Sequence, residues 1–249
     1  GSGALAAVGS AYTLMVFLIS ILLGLSMGSG TVFSLQYGAG RMKALRRSIY
    51  VSAVLIGTVT IVLNIAALSF IHPILKLLQI PDDIYQMMYD YLWIIFWGIG
   101  FTFIYNFYAA LLRAIGNAVT PLYFLAISVV LNIGLDLFFI LLLDWGIKGA
   151  AIATIIAQGV SALGIMGYTY AKCPELRLHR NDLHFDRHCL KEITSFSTLT
   201  CIQQSVMNLG ILMVQGLVNS FGSMVMAAFA AAIKIDSFAY MPVQEFGNA

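Results

Sequence analysis

The sequence predicts an all-α, polytopic membrane protein with about seven transmembrane helices. Three observations carry this. Hydrophobic residues make up 60% of the 249 and charged residues only 10%, with a mean hydropathy of +0.91, whereas soluble domains carry about 25% charged residues. Several segments run for roughly 20 residues or more with almost no charge, the length that crosses a hydrocarbon core. Lys and Arg also gather in alternate connections. The net charge of +2 excludes nothing by itself, and no nucleic-acid partner is expected. The lipid bilayer is the solvent for most of the chain.

Spans are expected at about 4–37, 47–71, 86–113, 121–143, 147–171, 193–220 and 224–249. "QYGAGRMKALRR" ends the first span with two glycines and four basic residues. "HPILKLLQIPDD" separates the second from the third with two prolines. "RAIGNAVTP" closes the third and opens the fourth at Pro121, because proline is tolerated in a first helical turn. "LDWGIKGAA" is a short, glycine-broken link to the fifth. The connection at 172–192 reads as a solvated linker. It holds His179, His184, His188 and Cys189, but without standard zinc spacing. Cys173, Cys189 and Cys201 form no CxxC pair and suggest no disulfide framework.

Arg41, Lys43, Arg46 and Arg47 lie in the first connection, Arg113 borders the third, and Lys172, Arg177, Arg180, Arg187 and Lys191 lie in or beside the fifth. The alternate connections hold Lys76 and Lys148. Basic loops stay inside, so loops 38–47 and 172–192 are expected to be cytoplasmic in an inner (plasma) membrane. The first span then runs inward, and a preceding span is expected. The chain starts with Gly, lacks a charged n-region and stops at "EFGNA" within an apolar span. It reads as a fragment without a signal peptide.

An internal repeat supports this. "GSGALAAVGSAYTLMVF" and "GSMVMAAFAAAIKIDSF" align without a gap, with Gly1/Gly222, Ser2/Ser223, Ala6/Ala227, Ala7/Ala228, Ala11/Ala232 and Phe17/Phe238 identical. Both copies run inward, as in parallel repeats related by an axis along the membrane normal. The whole protein is expected to have twelve helices in two lobes. Residues 1–171 form the N-terminal lobe without its first helix, 172–192 the cytoplasmic inter-lobe loop, and 193–249 the start of the C-terminal lobe.

"VVLNIGLDLFFILLLDW" places Asp136 and Asn132 inside a span. A charge at the bilayer centre costs about 2.5–3.5 kcal/mol on insertion scales, so such residues mark functional sites by default. Four apart, they share one helix face. At 1.5 Å per residue, Asp136 lies about 22 Å beyond Pro121. A carboxylate with neutral amide and hydroxyl oxygens suits a small hard cation, and the same carboxyl could hold a proton instead. The bland alternative is that these residues only join helices, but interhelical polar bonds average about 0.6 kcal/mol, too little to offset an ionised Asp.

Taken in order, "ALAAVG", "SLQYGAG", "LLRAIGNAVTP", "VLNIGLD", "GIKGAAIATIIAQ", "QQSVMNLGILMVQGLVNSFGS" and "KIDSFAYMP" resemble the MATE (multidrug and toxic compound extrusion) family across essentially the whole chain. The resemblance implies the second to part of the eighth helix of a twelve-helix antiporter. Such an antiporter exports small organic cations or drugs in exchange for sodium ions or protons, with no cofactor. It implies an ion or proton site made of Asp136, Asn132, Asn106 in "FIYNFYAALLR" and Thr154 in "GAAIAT". The family's first-helix carboxylate lies before this chain. "FSTLTCIQQ" stands where many members have a Gly-x-Pro turn. A monomer is expected.

Lys234 and Asp236 are candidate cavity-lining residues, with snorkelling at the interface as the bland alternative. Glu245 could line the same cavity. Gly24 and Gly28 form a small-xxx-small pair for close helix contact. Gln36 and Gln158 read as structural residues near inner helix ends. A lipid-linked oligosaccharide flippase of related fold is the alternative function, but it should carry several Arg or Lys inside its spans, and only Lys234 qualifies. An intramembrane enzyme would need a nucleophile–base pair or a metal site at depth, and no such motif is present. The orientation is directly testable: in intact cells, a cysteine at Lys43 should resist an impermeant thiol reagent added outside and react only after permeabilisation. Labelling of intact cells would refute the topology.

Overall fold

A computed structural model describes residues 2–179, 182, 184, 186–233 and 236. The helices are α1 (Ser2–Gly38), α2 (Met42–Ser69), α3 (Ile71–Leu77), α4 (Asp82–Trp97), α5 (Ile99–Ala114), α6 (Val119–Leu137), α7 (Gly146–Lys172), α8 (Arg187–Asn219) and α9 (Ser223–Ile233). Five of them are long and apolar enough to cross a membrane, and a sixth span results if α4 and α5 form one broken crossing. The seventh expected span is described only as far as α9.

α1 is the element on which the rest is built. Its 37 residues extend about 55 Å, and α2, α4, α5 and α8 all pack against it. Small residues make this crowding feasible. A Cβ on Gly24 would lie 2.4 Å from Cys201 Cα, and one on Gly28 would lie 2.3 Å from Ser197 Cα. The two helices therefore meet backbone to backbone. Ser197 Oγ adds a bond to the Leu25 carbonyl at 3.2 Å. This is the small-xxx-small contact expected from the sequence, and its partner pair, Ser197 and Cys201, is also four residues apart. α8 is continuous through "FSTLTCIQQ", so the missing Gly-x-Pro turn leaves an unbroken helix.

The third expected span is not straight. It bends by 46° at Gly98, between α4 and α5. A Cβ there would sit 3.0 Å from Ile155 Cγ1 and 3.3 Å from Gln158 Oε1, so glycine lets α7 press into the break. Asn64 of α2 donates to the Phe96 carbonyl beside it, satisfying a backbone group where lipid offers no substitute. The proline-containing connection after α2 is helical over Ile71–Leu77. Pro73 falls in its first turn, where no N–H is required. Gly116, at φ +86°, makes the left-handed turn into α6, and Asn117 Oδ1 accepts from the Thr120 amide at 3.1 Å.

The basic end of the bundle is strapped. Arg46 Nε donates to Asp182 Oδ2 at 3.0 Å, and Arg47 Nη1 donates to Asp186 Oδ2 at 3.1 Å. Asp186 also caps α8 by accepting from the His188 and Cys189 amides. The connection at 172–192 is thus tied to the start of α2, more than a free linker. Among the described residues no group of three His, Cys, Asp or Glu side chains could share a metal ion. Gly9 and Ala230, separated by the same offset as the repeat pair Gly1/Gly222, meet directly: a Cβ on Gly9 would lie 2.4 Å from Ala230 Cβ.

Two outcomes follow from this packing. Gly28→Leu in the full-length protein should lose about 1–3 kcal/mol through overpacking, read as a lower melting temperature, while Gly134→Ala, with open space around it, should not. Equal melting of both variants would contradict the contact. The strap has a defined pH response. Burial opposes ionisation of Asp182, but the His179 amide and the Arg46 guanidinium hold its carboxyl below the usual range. The His188 amide and Arg47 do the same for Asp186. Depressed carboxyls contribute stability above their unfolded values and lose it as pH falls through the folded ones. A spin label at His184, with the native cysteines replaced by Ser, should keep constant mobility from pH 8 to 5. It should loosen only below about pH 4, and Asp182→Asn should loosen it at pH 7. A change centred between pH 6 and 7 would contradict the assignment.

Candidate ion and proton site between helices 4, 6 and 7

α6 shows two faces. Leu122, Leu125, Ile127, Val129, Val130, Ile133 and Leu137 are exposed, as apolar residues facing lipid would be. Phe124, Ser128, Leu131, Asn132, Leu135, Asp136 and Phe139 are half-buried and recur at helical spacing. Asn132 and Asp136 therefore lie on the packed stripe, the side of α6 that meets α7. Farther down the same stripe, Ser161 of α7 donates to the Phe124 carbonyl at 3.0 Å.

Thr154 of α7 stands opposite Asn132. Asn132 Nδ2 donates to Thr154 Oγ1 at 3.4 Å, and that hydroxyl donates to the Ala150 carbonyl at 2.9 Å. A third helix joins them. The Tyr91 side chain of α4 lies close enough to Thr154 and Asp136 to interact electrostatically with both. Asn132, Asp136, Thr154 and Tyr91 thus converge from three helices, offering amide, carboxyl, hydroxyl and phenol oxygens. These are hard donors suited to a sodium ion, and the carboxyl and phenol can also carry protons.

The backbone around this group is irregular. Two residues after Asp136, the chain enters a π-helical turn, Phe138–Leu142, a distortion found frequently at functional sites. Its Phe139 ring stacks on Trp145 at 5.1 Å. Gly149 lets the start of α7 close on the turn, since a Cβ there would meet Phe139 Cβ at 2.9 Å. Asp90, next to Tyr91, pairs with Lys148 at 3.1 Å and holds α4 to the first turn of α7.

Asn106 is not brought into this group. Its amide donates to the Thr102 carbonyl of its own helix at 2.8 Å. Thr102 Oγ1 in turn donates to Gln158 Oε1 at 3.3 Å. Asn106 lies one turn beyond Thr102 and Gln158 one turn beyond Thr154, on helices running the same way. Asn106 is therefore about two turns, roughly 12 Å, nearer the basic end than Thr154. Gln158 sits in the middle of α7, not near its end, and joins α7 to α5. Asp236 is helical and exposed; Lys234 and Glu245 lie outside the described residues. Sequence reasoning missed Tyr91. The available signal was Asp90, a carboxylate inside the expected third span, flanked by Tyr89 and Tyr91.

These features define an all-helical, polytopic membrane protein with a polar group gathered between packed helices. The chain belongs to the MatE family, whose model matches residues 1–138; it is a transporter family, not an enzyme family. "Probable multidrug resistance protein YpnP" of Bacillus subtilis (strain 168) is 32% identical over 250 residues, with 100% of this chain and 56% of that protein covered. "Probable multidrug resistance protein YoeA" of the same organism is 29% identical over 256 residues, covering 100% and 55%. A ligand complex of the MATE multidrug transporter DinF-BH has a TM-score of 0.89 at 27% identity, covering 98% of this chain and 55% of that one. An inward-facing multidrug resistance MATE transporter of the MOP superfamily shares the fold, with a TM-score of 0.91 at 22% identity, covering 98% and 56%. The chain spans about half the length of these relatives.

Proposed function

We propose that the protein containing this chain is a secondary active antiporter that exports organic cations or drugs in exchange for sodium ions or protons. The observation that carries this reading is the convergence of Asn132, Asp136, Thr154 and Tyr91 inside a MatE family member. The names of YpnP and YoeA, and the ligand complex of the multidrug transporter DinF-BH, support the substrate class. Asp136 is the charged group that binds the coupling ion, either a sodium ion or a proton. Asn132 and Thr154 supply neutral oxygens, and Tyr91 orients the carboxyl. Asn106, with Thr102 and Gln158, forms a second polar step toward the basic end.

In this reading residues 1–171 belong to one lobe, 172–192 link the lobes on the cytoplasmic side of the plasma membrane, and 193–249 begin the second lobe. The protein works as a monomer, and the exposed Asp236 lines the drug cavity. Coupling requires that the ion or proton bind one access state more tightly than the other. Each charge carried fully across a potential of 100 mV adds about 2.3 kcal/mol to the cycle.

The test is dye efflux from proteoliposomes holding the full-length protein, driven separately by sodium and proton gradients. One gradient should drive export, and Asp136→Asn should cut that export at least tenfold at equal incorporation. Wild-type rates in the variant would refute the site, and export under neither gradient would refute the antiporter.

A further inference from the structure

We propose that Ser10, Thr13, Gln215 and Asn219 form a hydrogen-bonded lock that opens and recloses one end of the α1–α8 seam. The lock lies at the end away from the basic residues, and all four side chains are buried, with exposures of 0%, 5%, 2% and 1%. Gln215 is its hub. Its Nε2 donates to Ser10 Oγ and to Asn219 Oδ1, both at 2.8 Å, while its Oε1 accepts from Thr13 Oγ1 at 3.3 Å. Ser10 Oγ donates to Asn219 Oδ1 at 3.0 Å, closing a ring, and Asn219 Nδ2 donates to the Leu78 carbonyl at 2.8 Å. The lock thus joins α1, α8 and the end of α3.

One end and the middle of this seam are chemically different. At Gly24 and Gly28 the helices touch backbone to backbone, a contact that water cannot replace. At the lock, every bond joins groups that water can satisfy equally well when the helices part. Polar side chains also join helices that never part, but the bonds at this end can be exchanged for bonds to water without loss, whereas the backbone contact cannot. A polar end is the arrangement expected of an interface that must become wet and dry again. In a transporter whose halves rock, the seam has to open at one end at a time. The lock is the end that opens while the glycine contact stays shut.

This inference rests on the antiporter reading for why the seam moves, but opening can be read without transport. The full-length protein, purified in nanodiscs with its native cysteines replaced by Ser, would carry one reporter cysteine. Ala6→Cys reports beside the lock and Val32→Cys near the basic end, both from fully buried positions. The readout is the labelling rate with a water-soluble maleimide. Gln215→Leu should raise labelling at position 6 at least fivefold and leave position 32 unchanged. Where that variant fails to fold, Ser10→Ala, which leaves the Gln215–Asn219 bond in place, provides the same comparison. An unchanged rate at position 6, or equal acceleration at both positions, overturns the lock. End-selective labelling in a protein that exports no dye would support the lock and refute the antiporter reading alone. Dye export with labelling that ignores the lock variants would do the reverse.

Discussion

The backbone contact between α1 and α8 at Gly24 and Gly28 is the constraint on which the rest of the structure depends. It brings a 37-residue helix and a 33-residue helix to van der Waals distance along their middles. In lipid, apolar side chains gain little by meeting each other, so helices associate through close packing and hydrogen bonds. Glycines facing Ser197 and Cys201 maximise the first. Ser197 Oγ, bonded to the Leu25 carbonyl, adds the second. With α1 seated, its remaining sides are open to α2, α4 and α5, and edge-on packing of Phe33 against Phe107 at 6.1 Å fixes α5 there.

The polar group depends on a second departure from regular helix. A straight third span would carry α4 and α5 along one line. The 46° bend at Gly98 instead turns α4 across α7 and brings Tyr91 over Thr154 and Asp136. The backbone polarity exposed by the bend is met by Asn64. Beyond Asp136, the π-helical turn returns the chain to α7 through Phe139 and Trp145. Site and distortion are therefore coupled: the breaks make room for three helices to share one small volume, and the side chains at the breaks keep buried backbone groups satisfied.

At the basic end the order of events is different, because water is available. Arg46 and Arg47 hold the 172–192 connection by ion pairs in addition to the packing of Cys173, Leu176 and Cys189, and such pairs contribute little individually where solvent screens them. Their role is positional. Asp186 serves both Arg47 and the first turn of α8, so the strap also sets where α8 begins relative to α2.

The amino-acid sequence by itself determined the class of structure. Uncharged runs and turn residues marked the five helices long enough to cross, and a sixth crossing if α4 and α5 form one broken span, with the largest miss at the start of α8, expected at 193 and found at Arg187, because the bilayer imposes length and polarity directly on the chain. It also exposed Asp136 and Asn132, since a charge in an apolar span stands out, and Gly24 with Gly28, since small residues at helical spacing do the same. Only the tertiary structure decided which residues join them. Tyr91 reaches the group and Asn106 does not, because the bend at Gly98 sets the rotation and depth of α4 and α5, and no local pattern records that angle. Gln215 and Asn219 were silent for the same reason. Their partners, Ser10 and Thr13, lie about 200 residues away along the chain, and a polar side chain reveals its role only when the helix opposite it is in place.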